Sequence, residues 1–588
     1  MRGDLRAHSS SRRNAENPGK RKRAAPGIVM STARILHLHT YFLFPFSIDR
    51  KVVSDRHPAI WSGVRHWIDG LDEWIGAHHS PGSSTIVGEL GPWRRSTYSR
   101  FDMDSPAYQD MVFFHPFVRR VFFDTAEVSK PAGETESLLR CYTIPLGADK
   151  RLWFQAEDLK GRSATVEVSE LRLFLFANGI GVLSIGIEAF NLSSQQALWI
   201  NESMRKVYAS SGRQVREGRI PNKMTLTIEK DGSRETVSEE SFAHGEMTGF
   251  LPPLSRNIRS LIYFADYAKG EFEPVLDERM IVYSYLALDP ASLPPDYVSS
   301  ENYQVLLSRF LYVDMDGSGY RYEPRFVREQ MERQMYRRWA HQGTWYGFTS
   351  YSNVTAAIGT FECDEHTLRE GFLVHRMFTT RYYLMAMVAL FYRATLLSFE
   401  ERTALVSKRL FLDEEDGKLT SENIISATDL RAEFLHFSNY WYFDELANKD
   451  EEIEHFALQC QQYRIEPIKK EIEGELEKLN ASLQEYSAFR STEAVNRLAL
   501  LSLIMGGGAV LTGFFGMNFG HYFGQIFFEP NERSLYVHYL AIAVVAMLSF
   551  GAIAFGFYMV IANWPDYREI LLPSRRRARL RRRARRRG

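Results

Sequence analysis

The stretch from Leu498 to Met517 reads LALLSLIMGGGAVLTGFFGM and contains no charged side chain. A second stretch, from Val537 to Ile561, reads VHYLAIAVVAMLSFGAIAFGFYMVI, and His538 is the only side chain in it that can carry a positive charge. A helix needs about 20 apolar residues to cross the ~30 Å hydrocarbon layer of a bilayer. The two stretches therefore predict two transmembrane helices near the C-terminus.

A third apolar run, residues 382–392 (YYLMAMVALFY), ends at Arg393 after 11 positions. This run is too short to cross a bilayer. We interpret it as a buried helix of a soluble domain.

The flanks of the two predicted spans set their orientation, because Lys and Arg near span ends stay on the cytoplasmic side. Arg490 and Arg497 precede the first span, and residues 562–588 contain 11 arginines after the second. The connecting segment, 518–536, holds only Arg533. The sequence thus predicts a multi-pass protein of the cell (inner) membrane, with both termini cytoplasmic and the short loop outside.

Charge is strongly segregated along the chain. The 588 residues carry 72 basic and 72 acidic side chains, yet residues 1–30 hold 8 basic against 2 acidic, and residues 562–588 hold 11 against 2. The part between has 53 basic and 68 acidic side chains, a net charge of −15. An acidic body favours a cation as partner over a nucleic acid, and the Arg-rich tail favours anionic lipid headgroups.

The N-terminal half of the chain mixes strand and helix patterns. Residues 1–29 are polar and basic without periodicity, so we expect disorder and a fold that begins near Met30. Residues 30–322 are expected to form a cytosolic α/β domain. Within it, Leu171–Phe190 predicts a β-hairpin around Asn178-Gly179, a pair that favours a type I′ turn. The other predicted elements are strands at Met224–Ile228, Leu261–Tyr267 and Met280–Leu288 and a helix at Val64–Ile75.

The pattern becomes helical over residues 323–466. Predicted segments lie near 325–340, 366–412, 421–436 and 450–464. Pro467 then opens a run without proline that extends to Met517, a rod of roughly 77 Å if wholly helical. Residues 467–497 of this rod form a stalk helix and 498–517 the first span, followed by the outside loop 518–536, the second span 537–561 and a basic cytoplasmic tail, 562–588.

Apolar residues of the stalk are spaced like the seam of a helix bundle or coiled coil. They are Ile468, Ile472, Leu476, Leu479, Leu483 and Tyr486. A helix this long needs neighbours along such a stripe, so we expect the seam to include contacts with other copies of the chain.

The end of the first span carries a family resemblance. The segment Glu493–Phe519 contains Gly516-Met517-Asn518 at the outer end of the span, with Gly513 upstream. With its short outside loop and one last span, this segment resembles the CorA family of divalent-cation channels. The resemblance covers about residues 470–565 and not the upstream region.

The resemblance implies an α+β membrane protein that forms a funnel-shaped homopentamer, with the first span lining the pore. Gly516, Met517 and Asn518 would form the selective mouth. The candidate pore-lining residues below it are Val495, Leu498, Ser502, Gly506, Ala509, Thr512 and Gly513. A ring of Asn518 carboxamides can accept hydrogen bonds from the waters of hydrated Mg²⁺, which gives up its water reluctantly. Gly513 and Gly516 would allow close packing.

The outside loop departs from the family pattern. It reads Gly520-His521-Tyr522-Phe523-Gly524, and its acidic residues, Glu529 and Glu532, come later. His521 is a ligand type that suits Zn²⁺, Co²⁺ or Ni²⁺. Mg²⁺ is the preferred transported ion, and these transition metals are the alternatives.

The resulting hypothesis is a pentameric channel for Mg²⁺ influx, driven by the membrane potential and gated by a cytosolic cation. Two alternatives stay open: a proton-coupled Zn²⁺ carrier of the same fold, and a membrane-anchored scaffold or sensor with a non-conducting hairpin. We expect no enzyme activity and no cofactor, since the sequence has no Walker A loop, HExxH or GxSxG motif. The three cysteines, Cys141, Cys363 and Cys460, are too scattered for a metal clip or a disulfide framework.

Overall fold

The structure is a computed structural model, and it describes most of the chain between residues 33 and 564. The described residues are 33–64, 66–79, 86–97, 112–124, 138–147, 150–208, 216, 220–230, 232–242, 251–276, 279–293, 295–297, 300–315, 322–358, 373–411, 421–516, 535–562 and 564. The predicted disordered segment 1–29 and nearly all of the basic tail lie outside them.

One large sheet organises the N-terminal α/β domain. Its strands are β1 Arg34–Ile48, β2 Arg94–Arg95, β3 Leu139–Ile144, β4 Arg151–Glu157, β5 Ser163–Phe176, β6 Ile180–Ser193, β7 Lys223–Lys230, β8 Ser233–Ser241, β9 Phe272–Pro274, β10 Ile281–Leu288, β11 Met335–Tyr336, β12 Thr344–Phe348 and β13 Ser352–Ile358. The main strand order is β11-β12-β13-β10-β1-β6-β5-β4-β7-β8, with β3 beside β5, β2 beside β3, and β9 beside β1. Among these strand pairs, β10 and β13 run parallel and the others antiparallel.

The helices lie on both faces of the sheet and beyond its end. They are α1 Arg50–Arg56, α2 Pro58–Trp61, α3 Leu71–Ala77, α4 Ile86–Leu90, α5 Pro116–Phe122, α6 Ser194–Met204, α7 Arg256–Leu261, α8 Glu301–Tyr312, α9 Pro324–Arg333, α10 Leu373–Thr379, α11 Arg381–Phe411, α12 Ser421–His436, α13 Asp450–Gln462, α14 Ile465–Gly516 and α15 Leu535–Ala562. Helices α3 and α6 to α9 contribute to the core on one face of the sheet, and α5 and α10 to α14 contribute to the core on the other. We call these the first and second core.

Strand β1 separates the two cores, because successive side chains of a strand point to opposite faces. Phe42, Phe44 and Phe46 belong to the first core. Tyr41 and Leu43 belong to the second. β1 lies between β6 and β10 in the middle of the sheet, so both of its edges are paired, and the two cores cover its two faces.

Helix α11 is the centre of the second core. The stretch Val374–Leu410 is long and apolar enough to cross a membrane by length and composition, but 78% of its most apolar window is buried inside the protein. Tyr383, Ala389 and Phe391 on α11 are fully buried. The interpretation of residues 382–392 as a buried core helix is therefore confirmed.

The hairpin predicted around Asn178-Gly179 is present as β5 and β6, but its turn is not type I′. A type I′ turn needs positive φ at both central residues. Gly179 has φ +91, and Asn178 is not among the residues with positive φ. The Gly179 N–H donates to the Phe176 carbonyl at 3.0 Å, so the connection is a three-residue loop with glycine in the left-handed position.

The structure confirms some of the other predicted elements and contradicts one. Strands at Met224–Ile228 and Met280–Leu288 are confirmed as β7 and β10, but the strand at Leu261–Tyr267 is wrong, since Leu261 ends helix α7. Ser255 caps that helix by accepting from the Ile258 N–H, and a short apolar run alone does not distinguish a buried strand from a buried helix end. The helix predicted over Val64–Ile75 is shorter and begins with a 3₁₀ turn, Trp67–Gly70, before α3.

The predicted helical region 323–466 also contains strands β11, β12 and β13, which the sequence interpretation missed. β13 is completely buried along its length, so it lacks the alternation of apolar and polar residues that marks a half-exposed strand. The sheet therefore includes strands from both sides of residue 322.

The described cysteines, Cys141 and Cys460, are free.

Candidate functional site

Helix α14 connects the cytosolic core to the uncharged sequence at the C-terminus. It runs without interruption through 52 residues from Ile465 to Gly516, a length of roughly 78 Å at 1.5 Å per residue. The long helix predicted from Pro467 to Met517 is thus confirmed to within two residues at each end. A rigid rod of this kind places residues 498–516 well beyond the sheet.

A tight turn fixes the start of α14. Arg464, between α13 and α14, has φ +56, a left-handed conformation that costs a residue other than glycine roughly 1–2 kcal/mol. The Tyr463 N–H donates to the Gln459 carbonyl at 3.0 Å, and the Ile468 N–H to the Arg464 carbonyl at 3.1 Å. These bonds close the end of α13 and the first turn of α14, so the direction of the long helix is set by this turn.

Polar contacts hold the neighbouring helices together around this start. Glu433 on α12 pairs with Arg50 on α1 at 3.3 Å and with Arg402 on α11 at 2.8 Å. Burial acts to raise the pKa of Glu433, but the two guanidinium groups outweigh it and lower that pKa. The carboxylate therefore stays charged and links α1 to the second-core helices α11 and α12.

The first half of the α14 seam packs inside its own chain. Ile472, Leu476 and Leu479 are buried and belong to the second core, and Ile468 and Leu483 pack against it. α14 contacts α11, α12 and α13 there. The expectation of contacts with other copies of the chain is therefore wrong for Ile472, Leu476 and Leu479, and the interpretation of the seam as part of a helix bundle is confirmed. The seam is covered within one chain because α11, α12 and α13 pack against it.

The candidate pore-lining residues share one face of α14. Val495, Leu498, Ser502, Gly506, Ala509 and Gly513 follow one another at intervals of 3 or 4 residues. At about 100° per residue this spacing keeps them on one stripe roughly 80° wide. All of them are exposed in the single chain, as is Thr512 beside the stripe.

A second stripe of α14 is partly covered. Its members are Ala494, Arg497, Leu501, Ile504 and Gly508. The centre of this stripe lies roughly 120° around the helix from the first stripe, at about 100° per residue. α15 contacts α14. The candidate pore-lining face is the more exposed of the two stripes.

Two glycines, Gly506 and Gly513, lie on the exposed stripe. A Cβ atom built on either one would meet no atom of the described residues within 4 Å. Within one chain these two glycines therefore leave open space beside the helix. Small residues of this kind let another helix approach closely in a membrane.

The polar group nearest the end of the stripe is Thr512. Its hydroxyl donates within the helix, to the Gly508 carbonyl at 2.9 Å or the Ala509 carbonyl at 3.1 Å. A hydroxyl that donates to its own helix presents oxygen lone pairs to its surroundings. An acceptor oxygen on this face is suited to a cation or its water shell.

The mouth itself lies at the edge of the described residues. Gly516 is the last residue of α14. Met517 and Asn518 lie outside the described residues, as do His521, Glu529 and Glu532 of the loop. Their roles stay predictions from the sequence.

The sequence interpretation missed one group of ligand-type side chains among the described residues. His37, His39 and His375 meet on the second-core side of the sheet. The pattern His-Leu-His in a strand was the available signal, because residues two apart share a face. Nothing in the sequence places His375, more than 330 positions later, beside them.

Comparison with known families bears on the same region as α14. Residues 438–557 match a family model described as CorA-like Mg2+ transporter protein. The match covers about a fifth of the chain and includes α13, α14 and most of α15. No curated protein and no solved structure gives a significant match. The part of the chain that contains the long helix is therefore similar to CorA-like Mg2+ transporter proteins.

Proposed function

We propose that the protein is a transporter of divalent metal cations, most of all Mg²⁺, and that the ions cross the membrane along α14. The observation that carries this proposal is the CorA-like match over residues 438–557. It coincides with a helix that continues from the cytosolic core into uncharged sequence. Members of the matched family are membrane-bound transporters rather than enzymes.

In this proposal, the end of α14 and the whole of α15 cross the membrane. α15 has 28 residues, enough to span a bilayer that needs about 20. Large apolar side chains are exposed on both helices, among them Leu503 at 75% and Phe550 at 78%. Exposed apolar surface on this scale favours a lipid or protein environment over water.

The transporting unit we propose is a homopentamer. One copy of α14 cannot enclose a pathway, and the candidate pore-lining stripe is exposed in the single chain. The open space above Gly506 and Gly513 would accommodate a neighbouring α14. Contacts between copies then begin beyond the buried seam, near the exposed Phe489 and Val495.

Selection would occur at Gly516-Met517-Asn518. Five Asn518 carboxamides offer neutral oxygens to the water shell of Mg²⁺, which the ion releases reluctantly. A divalent ion that moves inward through a 100 mV potential gains ~4.6 kcal/mol, at ~2.3 kcal/mol per charge. The membrane potential therefore supplies the driving force, and the protein needs only to select and gate.

The net negative charge of the chain between its basic ends supports gating by cytosolic cations. The chain between its basic ends carries a net charge of −15, and Glu471, Glu475 and Glu477 are exposed on α14 below the membrane. In a pentamer these charges would repel one another unless cations screen them. Internal divalent cations are expected to stabilise the closed state.

Anionic lipid headgroups would bind the Arg-rich tail.

Two alternatives differ in measurable ways. A proton-coupled Zn²⁺ carrier of the same fold, suggested by His521, would depend on a pH gradient. A membrane-anchored scaffold or sensor would carry no ions, and its hairpin would only hold the large cytosolic domain at the membrane.

The test uses the full chain reconstituted in liposomes that contain a fluorescent indicator for Mg²⁺, Zn²⁺, Co²⁺ or Ni²⁺. A negative interior potential is set with a K⁺ gradient and valinomycin, and a pH gradient is imposed separately. We expect Mg²⁺ entry that follows the potential. Zn²⁺ entry that needs the pH gradient would replace the proposal with the carrier, and absence of flux for all four ions would replace it with the scaffold.

A further inference from the structure

Three histidines and one glutamate meet on the second-core side of the sheet, far along the chain from α14. His37 and His39 are alternate residues of β1, so they share a face. Glu188 lies directly opposite His39 in the register of β1 with β6. His375 comes from α10, which packs over these strands.

The four side chains point toward one another. His39 Nδ1 lies 2.9 Å from His375 Nε2 and 3.5 Å from Glu188 Oε1. His37 Nε2 lies 3.6 Å from Glu188 Oε2. One ring nitrogen from each histidine lies within 4.8 Å of the other two. Ligands of a tetrahedral Zn²⁺ at ~2.0–2.1 Å are about 3.3 Å apart, so this spacing needs only small adjustments to hold an ion.

His37 is buried without hydrogen bonds to its ring nitrogens among the described residues. Its exposed fraction is 0%. A buried polar group left in this way costs roughly 1–3 kcal/mol. A metal ion would engage one of these nitrogens directly.

Neighbouring side chains contact the rings of the cluster. His39 Nε2 lies 3.3 Å from the Ser169 hydroxyl, and the His37 ring stacks on Phe190 at 4.6 Å. Such outer contacts orient ligand rings.

Ligand chemistry selects the class of ion. Imidazole suits Zn²⁺, Co²⁺ and Ni²⁺, whereas Mg²⁺ takes oxygen ligands and keeps most of its water. Three imidazoles and one carboxylate complete a tetrahedral set. Glu188 retains 14% side-chain exposure, which leaves a route for an ion at the edge of the cluster.

We propose that His37, His39, His375 and Glu188 form a binding site for one transition-metal ion of the Zn²⁺ class, separate from the transport pathway. The site joins β1, β6 and α10. α10 is followed by α11, which contacts α14. Bound metal therefore fastens the helical layer that carries the long helix to the central strand of the sheet. The site does not depend on whether the protein transports ions.

The test measures metal binding by the purified full chain in detergent. Protein stripped with a chelator is titrated with Zn²⁺ against a chromophoric competitor, in the presence of millimolar Mg²⁺. Co²⁺ is then bound in place of Zn²⁺, and its visible absorption reports tetrahedral nitrogen and oxygen ligands. We expect one tight Zn²⁺ per chain that Mg²⁺ does not displace, and a tetrahedral Co²⁺ spectrum.

Two variants, His39→Gln and His375→Gln, remove ligands while keeping side chains of similar polarity. Each should weaken Zn²⁺ binding at least ~10-fold, the smallest loss expected when even an outer partner of a ligand is removed. The matched control is His455→Gln, which alters another buried histidine on α13 and should retain the tight site. Wild-type affinity in both ligand variants would overturn the proposal. Lack of tight Zn²⁺ binding, or an octahedral Co²⁺ spectrum, in the wild-type chain would overturn it without reference to any variant.

Discussion

The side-chain amide of Asn178 donates a 3.0 Å hydrogen bond to the Thr395 hydroxyl, and so joins the tip of the β5–β6 hairpin to the central helix α11. The other end of the same amide accepts from the Ile180 N–H at 3.2 Å. Thr395 is buried. Asn178 thus closes its own turn and attaches that turn to the helix that supports α14.

We expect Asn178→Ala to lower the free energy of unfolding of the cytosolic domain by about 1–2 kcal/mol, because it removes both hydrogen bonds. Asn178→Asp should cost less, since a carboxylate still accepts from the Ile180 N–H and from the Thr395 hydroxyl. Chemical denaturation followed by tryptophan fluorescence measures both. Equal stability of the alanine variant and the wild type would show that this link is not used.

This pair also shows how far the sequence could predict the fold. The dipeptide Asn178-Gly179 correctly marked the hairpin, because glycine tolerates the left-handed conformation that ends the loop. It did not reveal the turn geometry, since the role of Asn178 depends on Thr395, 217 positions away. The local sequence predicted the position of the turn. The geometry of the turn depends on a contact with a residue that is distant in the chain.

The same limit applies to the long helix and to the histidine cluster. Spacing along α14 predicted the seam correctly, but burial of Ile472 and Leu476 within one chain depends on the packing of α11, α12 and α13 against it, which the spacing does not reveal. His37 and His39 were visible as a pair, whereas His375 joins them only through the packing of α10. Elements with strong local periodicity could be predicted. Contacts between residues that are distant in the sequence could not be predicted.

The position of the seam can be tested by two matched leucine substitutions on α14. Leu476 is 3% exposed and Leu503 is 75% exposed. Leu476→Ala should destabilise the cytosolic domain by roughly 2–5 kcal/mol, as large-to-small changes in a core do. Leu503→Ala should leave its unfolding unchanged. Thermal unfolding of the two variants in the same detergent gives the comparison, and similar curves for both would contradict burial of the seam within one chain.

Stability should fall in mild acid, partly because of His455. Burial lowers its pKa to about 3, and its ring lies among Tyr346, Phe348 and Tyr382. The unfolded chain takes up a proton near pH 6.5, while the folded chain does not until about pH 3. The stability that the neutral ring contributes is therefore complete above pH 6.5 and is lost as the pH falls below it, by about 2 kcal/mol at pH 5.

We expect His455→Phe to remove this part of the pH dependence, since phenylalanine cannot take up a proton and fits an aromatic site. Between pH 7 and pH 5 the variant should lose about 2 kcal/mol less than the wild type. Denaturation midpoints at several pH values measure the difference. Parallel curves for the two proteins would mean that His455 titrates normally in the folded state.

Asn518 is the residue on which transport should depend most. Its predicted role is to replace outer-sphere water around a hydrated cation, and alanine has no oxygen for this task. Asn518→Ala should therefore abolish Mg²⁺ uptake into liposomes, while expression and assembly stay normal. Asn518→Asp should hold the ion more strongly and slow its passage, because a carboxylate binds Mg²⁺ directly.

The control for this prediction is Gly516→Ala, at the last residue of α14. This change leaves every ligand oxygen in place and adds only a methyl group, so it should reduce flux through packing without removing ion selectivity. Gel filtration in detergent shows whether each variant assembles as the wild type does, so that a loss of flux can be assigned to the mouth. If Asn518→Ala carried Mg²⁺ at the normal rate, Asn518 would not be the selective residue. Selection would then have to occur elsewhere along the pathway. The anchored scaffold, whose hairpin tolerates changes at Gly516–Asn518, would be the better explanation only if the wild-type chain also carried no ions.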